Sequence, residues 1–404
     1  MGSGYLVRRG VVGGSSEATV TFDIQNVKIF RKGLTSLINP VYNLDATTVG
    51  DYALFGGGNV GYSGYNSFSL LVNAYDSNLV RSIPTSLSVS RGSYKATTVG
   101  DYALFGGGYT GSYSSTVDAY NSNLVRSTPT ALSVARTVLA ATTVGGYALF
   151  GGGWRASTSN IVDAYNSNLV RSTPTELSVA RSNFTATTVG DYALFGGGYV
   201  DDNNYSSVVD AYDSNLVRST PTELSVARRG LAATTVVGYA LFGGGRVVST
   251  YNTSSSTVDA YDTNLVRSTL TELSVARMDL AATTLRGYAL FGGGYNGRDS
   301  YLSTVDAYDT NLVRSSMDNL LEVRSGLAAT TVGKYALFGG GNDGGSLCSD
   351  DVDIYTFDST IQVYPGTKYK FNNMVEEKTA TEWKEITFDE PLNGYIKISN
   401  VEIN

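Results

Sequence analysis

The peptide ATTVGDYALFGGG at 46–58 returns at 96–108 and, with small changes, at 141–153, 186–198, 233–245, 282–294 and 329–341. Seven copies of one block constrain the fold more than any local propensity, because each copy must be buried in an equivalent environment. The first glycines of the triplets, Gly56, Gly106, Gly151, Gly196, Gly243, Gly292 and Gly339, are spaced by 45 to 50 residues, the length of a propeller blade. A second block, VDAYNSNLVRSTPTELSVAR at 162–181 or a near copy, follows each triplet at a variable distance. It sets an aspartate two residues before a tyrosine at Asp118, Asp163, Asp210, Asp259, Asp306 and Asp353, and Asn73 stands there in the first unit.

Each unit reads as four short strands: LAATTV, YALFG, VDAY, and NLVRSTPTEL running into SVAR. They are rich in Val, Thr, Tyr, Leu and Phe and are bounded by Gly, Asn, Asp or Pro, whereas no long segment carries a 3.6-residue period. Four antiparallel strands per unit, repeated radially, predict an all-β, seven-bladed β-propeller, a fold that leaves only short, protected edges. The seventh unit has no NLVRS after Tyr355. The missing strand lies at the other end of the chain: FRKGLTSLINPVYNLDATT at 30–48 aligns without a gap to VRSTPTELSVARRGLAATT at 217–235, matching Arg31 to Arg218 and Leu37 to Leu224. Residues 26–37 are therefore expected to supply the outermost strand of the last blade and close the ring. The alternative is that the C-terminal IQVY segment completes that blade.

An apolar strand ending in glycines, a loop, an acidic residue before a tyrosine, a fourth strand and a terminal arginine together resemble the Kelch repeat, here YALFGGG, VDAY and SVAR over 22–355. The resemblance implies a propeller of Kelch-like blades. The tryptophan of the Kelch fourth strand is replaced by Val125, Val170 and Val217, which marks a divergent group. Residues 1–21, Gly- and Ser-rich with Arg8 and Arg9, are expected to form an N-terminal arm. Residues 356–404 leave the repeat and are expected to form a small β appendage for docking or oligomerisation, too small to be very stable alone.

The chain has no histidine, which removes Ser-His-Asp triads, imidazole-bound zinc or copper, and haem with a proximal histidine. Its one cysteine, Cys348, allows no intramolecular disulfide and no thiolate zinc cage. A net charge of −7 with no long run of either sign argues against nucleic acid, and no segment approaches the roughly 20 apolar residues of a membrane span. The recurring Asp118, Arg126, Arg136 and their equivalents are read as structural, pairing or hydrogen-bonding at turns and between blades, since one binding site does not need seven copies; the alternative is a ring of arginines gripping a central anion. Sialidase-like chemistry, with an arginine cluster, would draw its arginines from differing contexts. The chain is accordingly expected not to be an enzyme and to hold no cofactor and no metal. Asp201, Asp202, Asn203 and Asn204 offer oxygens to Ca²⁺ but lack EF-hand spacing.

Function is sought in what varies. The segments after the glycines, 59–69, 109–115, 154–160, 199–207, 246–256, 295–303 and 342–350, differ in length and sequence between near-constant flanks. They are rich in Tyr, Ser, Gly and Asn, the composition of a binding paratope. In an up-and-down blade they emerge on the same face as the fourth-to-first connections, which also vary, as in GSYK at 92–95, SNFT at 182–185 and MDLA at 278–281. The third-to-fourth turn, NSN or DSN, is nearly fixed. The contact candidates are Tyr62, Tyr65, Tyr109, Tyr113, Trp154, Arg155, Tyr199, Tyr205, Tyr251, Tyr295, Arg298 and Tyr301. The expected role is a binding module: an adhesin of a phage tail or phage-tail-like particle that recognises a host-surface polysaccharide or protein. With no export signal visible it would reach the outside by lysis, as a homo-oligomer joined to other tail or baseplate subunits. The alternative is a cytoplasmic Kelch-like scaffold for a protein partner.

Overall fold

The computed structural model describes residues 29–61, 67–201, 204–248, 253–298, 300–344 and 348–357, together with the backbone of six short strands near the chain ends. Two compact units result: Ile29–Thr356, and a second built from both ends, Met1–Lys28 with Phe357–Asn404. The first is a ring of seven four-stranded antiparallel sheets, a seven-bladed β-propeller. In blade 4 the strands run Thr185–Val189, Tyr192–Gly196, Val209–Tyr212 and Arg218–Ser219, from axis to rim. The other blades repeat this order. Blade 7 takes Ala328–Val332, Tyr335–Gly339 and Asp351–Phe357 from the C-terminal part of the ring and Ile29–Ser36 as its outermost strand. The N-terminal strand therefore closes the ring, as the alignment of 30–48 with 217–235 anticipates.

The sequence explains each layer. Innermost strands such as Ala140–Val144 alternate buried and half-buried side chains, and their threonines join neighbouring blades around the axis. Thr143 Oγ1 donates to Thr98 O at 2.7 Å and so accepts from Thr97 Oγ1 at 2.9 Å, which fixes one direction for the hydroxyls; the same pair of bonds recurs at Thr98, Thr188 and Thr284. The second strand, YALFG, has sheets on both sides and is buried almost throughout. Its last glycine lies under the next blade's phenylalanine: a Cβ on Gly106 would stand 2.7 Å from the Phe150 ring. The core is accordingly distributed between blades. Leu54, Val72 and Ala74 of blade 1 pack with Phe105 and Tyr120 of blade 2, whose rings meet edge to face at 5.8 Å.

The outer strand is shorter than NLVRSTPTEL suggests. Only Arg126–Ser127 pairs in blade 2, because Asn121 Oδ1 draws Asn123 N and Val125 N into a turn and Pro129 has no N–H to donate. Leu124 takes φ 60° in that turn and recovers some of the strain by packing against the core between blades 1 and 2.

Charged pairs tie the blades together. Arg91, whose backbone is bonded to blade 1, reaches Asp118 in blade 2 at 2.8 Å with both side chains buried. Equivalent pairs are Arg136–Asp163, Arg181–Asp210, Arg228–Asp259, Arg277–Asp306 and Arg324–Asp353. A second arginine, from the blade's own outer strand, holds the other carboxylate oxygen, as Arg218 holds Asp210 at 2.9 Å. The seam between blades 7 and 1 differs: Val41 takes the arginine's place and Asn73 the aspartate's.

In the second unit Thr19–Phe22 runs antiparallel to Ile396–Ser399, Thr360–Val363 to Lys384–Thr387, and Lys368–Tyr369 to Lys378–Thr379. The two chain ends, treated separately in the sequence, thus contribute one strand each to a shared pair.

Candidate recognition face

Every fourth-to-first connection enters the axis through one residue in the left-handed region: Asn43, Ser93, Val138, Asn183, Gly230, Asp279 and Gly326, with φ between 45° and 63°. The N–H of each donates to the carbonyl of its predecessor in the preceding blade, and Asn43 N returns to Gly326 O, so seven bonds of 2.8 to 3.0 Å close a complete circle. Val138, β-branched, is the strained member. Above the threonines this circle frames an axial cavity of about 270 Å³.

The cavity wall is not seven-fold. Most inner strands begin with alanine, but Asp45, Lys95 and Thr185 stand at that level in blades 1, 2 and 4. Lys95 Nζ lies 3.8 Å from Asp45 Oδ2, which also accepts from Ala96 N at 2.7 Å. Burial pushes the Asp45 carboxyl above its ordinary value, with Lys95 working against the shift. Asp279 is exposed to the cavity yet ringed by protein, and loss of solvent raises its carboxyl too, opposed first by Arg229, then by Arg246 and Lys95.

Around the mouth runs a collar. In each blade the residue after the glycine triplet pairs in an isolated bridge with the residue after the buried arginine position: Tyr42 with Asn59, Gly92 with Tyr109, Thr137 with Trp154, Ser182 with Tyr199, Arg229 with Arg246, Met278 with Tyr295 and Ser325 with Asn342. The variable segments and the variable connections are thereby held on one face, the arrangement that strand order alone predicts.

The aromatic candidates are half-buried in this collar and make ring contacts across blade boundaries. Trp154 of blade 3 meets Tyr199 of blade 4 at 6.0 Å, and Tyr199 meets Tyr205 at 6.3 Å. The Arg229 guanidinium lies over both tyrosines, 5.9 Å and 5.4 Å from their ring centres. Tyr109 forms a second group with Tyr113 and Phe68, and Tyr295 a third with Tyr301, whose ring lies against Gly344 of blade 7. Arg155, on the Trp154–Arg155 and Ser157–Thr158 hairpin, and Arg298 are exposed. Tyr62, Tyr65 and Tyr251 lie outside the described residues.

Of the calcium-offering residues, Asp202 and Asn203 also lie outside. Asp201 Oδ1 accepts from Asn204 Nδ2 at 2.7 Å, and among the described residues no cluster of three metal-ligating side chains is present. Cys348 is a buried free thiol at the seam between blades 7 and 1, where burial raises its pKa. The recurring arginines do not line the axis; they are spent on the buried pairs. What the sequence reading missed is the polar part of the mouth, Asp45, Lys95, Asn183, Arg229, Arg246 and Asp279. The signal was present in the short connections, where GSYK, SNFT and MDLA depart from the common pattern.

No protein-family model matches the chain, and no curated protein matches it. Among solved structures it is similar to YjhT, with a TM-score of 0.51 and 11% identity over 80% of this chain and 98% of that one. At this identity the likeness shows the propeller fold. It also overturns one expectation. The architecture shared with YjhT accommodates catalytic as well as recognition sites, so the reading that this chain is not an enzyme is unsupported and is withdrawn. The missing histidine removes imidazole chemistry and nothing more.

Proposed function

We propose that the chain is a Kelch-like recognition propeller of a phage tail or phage-tail-like particle, reading a host-surface polysaccharide or protein through the collar and axial mouth. Residues 22–355 are assigned to recognition, 1–21 to an arm and 356–404 to docking on tail or baseplate subunits or on further copies of the chain. The observation that carries the reading is the contrast within each blade: the framework is repeated almost unchanged, while substitutions gather on one face and supply Tyr, Trp and Arg. Such side chains give large, rigid contact area at low entropy cost.

The test is binding of the labelled protein to a panel of intact bacteria, beside a variant in which 199–207 and 295–303 are replaced by Gly-Ser. Strain-selective binding that disappears in the variant is the expected outcome. Binding that survives the replacement would move the site off this face.

A further inference from the structure

Six of the seven collar bridges join residues without charge on either side, and the seventh, Arg229 with Arg246, stands out. Their backbones exchange two hydrogen bonds, Arg229 N to Arg246 O at 3.0 Å and Arg246 N to Arg229 O at 2.7 Å, so both side chains project to the same side of the bridge. Neither arginine belongs to the repeated framework; the equivalent pairs elsewhere include Gly92 with Tyr109 and Ser325 with Asn342. The six framework arginines are each ion-paired to an aspartate. Arg229 has no such pair among the described residues, although it is half-buried. Instead its guanidinium lies over the rings of Tyr199 and Tyr205, a cation–π position that holds the group at the mouth. Asp279, at the mouth, is close enough for both arginines to act on it electrostatically.

Building on the recognition reading above, we infer that the sector formed by Arg229, Arg246, Tyr199 and Tyr205 binds an anionic saccharide, its carboxylate or phosphate taken by the two guanidinium groups and its ring laid against the tyrosines. The forked donors of arginine match the geometry of either anion, and desolvated charge-assisted bonds are the strong ones. Asp279 is the internal counter-charge that the ligand's anion competes with. One sector of a quasi-symmetric ring thus holds a single site, as a unique ligand requires.

The experiment is calorimetric titration with glucuronate, glucose 6-phosphate and glucose, alongside the fluorescence of Trp154, which lies 6.0 Å from Tyr199. The expected order has at least one acidic sugar above glucose, and the carboxylate and phosphate arms identify which anion is preferred. Arg229→Gln or Arg246→Gln should each lower that affinity by about tenfold, the loss of one charge-assisted contact. Asp279→Asn should raise it, and Arg286→Gln, in a turn on the opposite face, should leave it unchanged. Thermal unfolding of each variant at the wild-type temperature establishes that the fold is intact. Equal affinity for glucose and both acidic sugars, no binding by any of them, or full affinity in both arginine variants would overturn the inference. Strain-selective cell binding that persists in Arg229→Gln would sink this inference while leaving the broader recognition reading in place.

Discussion

Six seams of the ring carry a buried arginine–aspartate pair, and the seventh, between blades 7 and 1 and next to the strand that closes the ring, carries Val41 and Asn73. Much else is the same at both kinds of seam. Ile38 N donates to Asn73 Oδ1 at 3.0 Å, just as Ser88 N donates to Asp118 Oδ1, and Tyr75 OH donates to Ser36 O as Tyr120 OH donates to Thr85 O. Only the charges are missing, and they are missing together. The difference teaches that the pair is placed as a unit: half of it would leave an uncompensated ion in the core, whereas a neutral, well-packed substitute is tolerated. Burial pulls the Arg181 guanidinium below its ordinary pKa, and Asp210 is what opposes the shift.

The largest break in this comparison is Asp210→Ala, which strands Arg181 in the core and should cost about 3–5 kcal/mol. Denaturant unfolding measures it. The double variant Arg181→Val with Asp210→Asn copies the closure seam into the middle of the ring and should be more stable than Asp210→Ala by about 1 kcal/mol or more. If the double variant is the worse of the two, the charges contribute net stability and the closure seam is held by something else. The converse edit is smaller. Val41→Arg alone should destabilise by about 2–3 kcal/mol, and adding Asn73→Asp should recover roughly 1 kcal/mol of that, read as a coupling energy in a double-mutant cycle.

The smallest effect lies at high pH. Burial raises all seven third-strand tyrosines, and in the six charged seams the nearby aspartate raises them further, as Asp118 does for Tyr120. Tyr75, beside Asn73 and helped by Arg81, is pushed only to about 12. Because the folded value lies above the unfolded 10.0, this tyrosine's contribution to stability is complete below pH 10 and is lost as pH rises toward 12. In an alkaline absorbance titration, Tyr75→Phe should remove the first of the seven to ionise. An unchanged titration would place Tyr75 with the others and dissolve the distinction between seams.

The ring was legible in the sequence because its repeats are nearly identical, and closure was legible because residues 30–48 keep the register of a blade although the other strands of blade 7 lie at the far end of the ring's sequence. The exchange of Val41 for arginine was open to the same alignment. The outer strand was overread: period and composition do not reveal that Leu124 turns to positive φ. At the site, tyrosines were found because their composition is unusual. Arg229 and Arg246 were harder, since 17 residues separate them and only the bridge between a blade's entry and its own loop brings them together.

The closed circle of backbone bonds at the mouth has a consequence for how such a protein changes its ligand. Peptide groups at the end of a helix point along one axis and offer their unpaired N–H groups to an anion. Here the seven dipoles run head to tail around a loop, their sum vanishes by symmetry, and every N–H is already engaged. The main chain therefore casts no vote on what enters. The choice falls to side chains at a handful of positions that the scaffold already leaves free to differ, from glycine to valine to aspartate, so the ring works as a socket with interchangeable contacts, re-keyed one residue at a time without disturbing its frame.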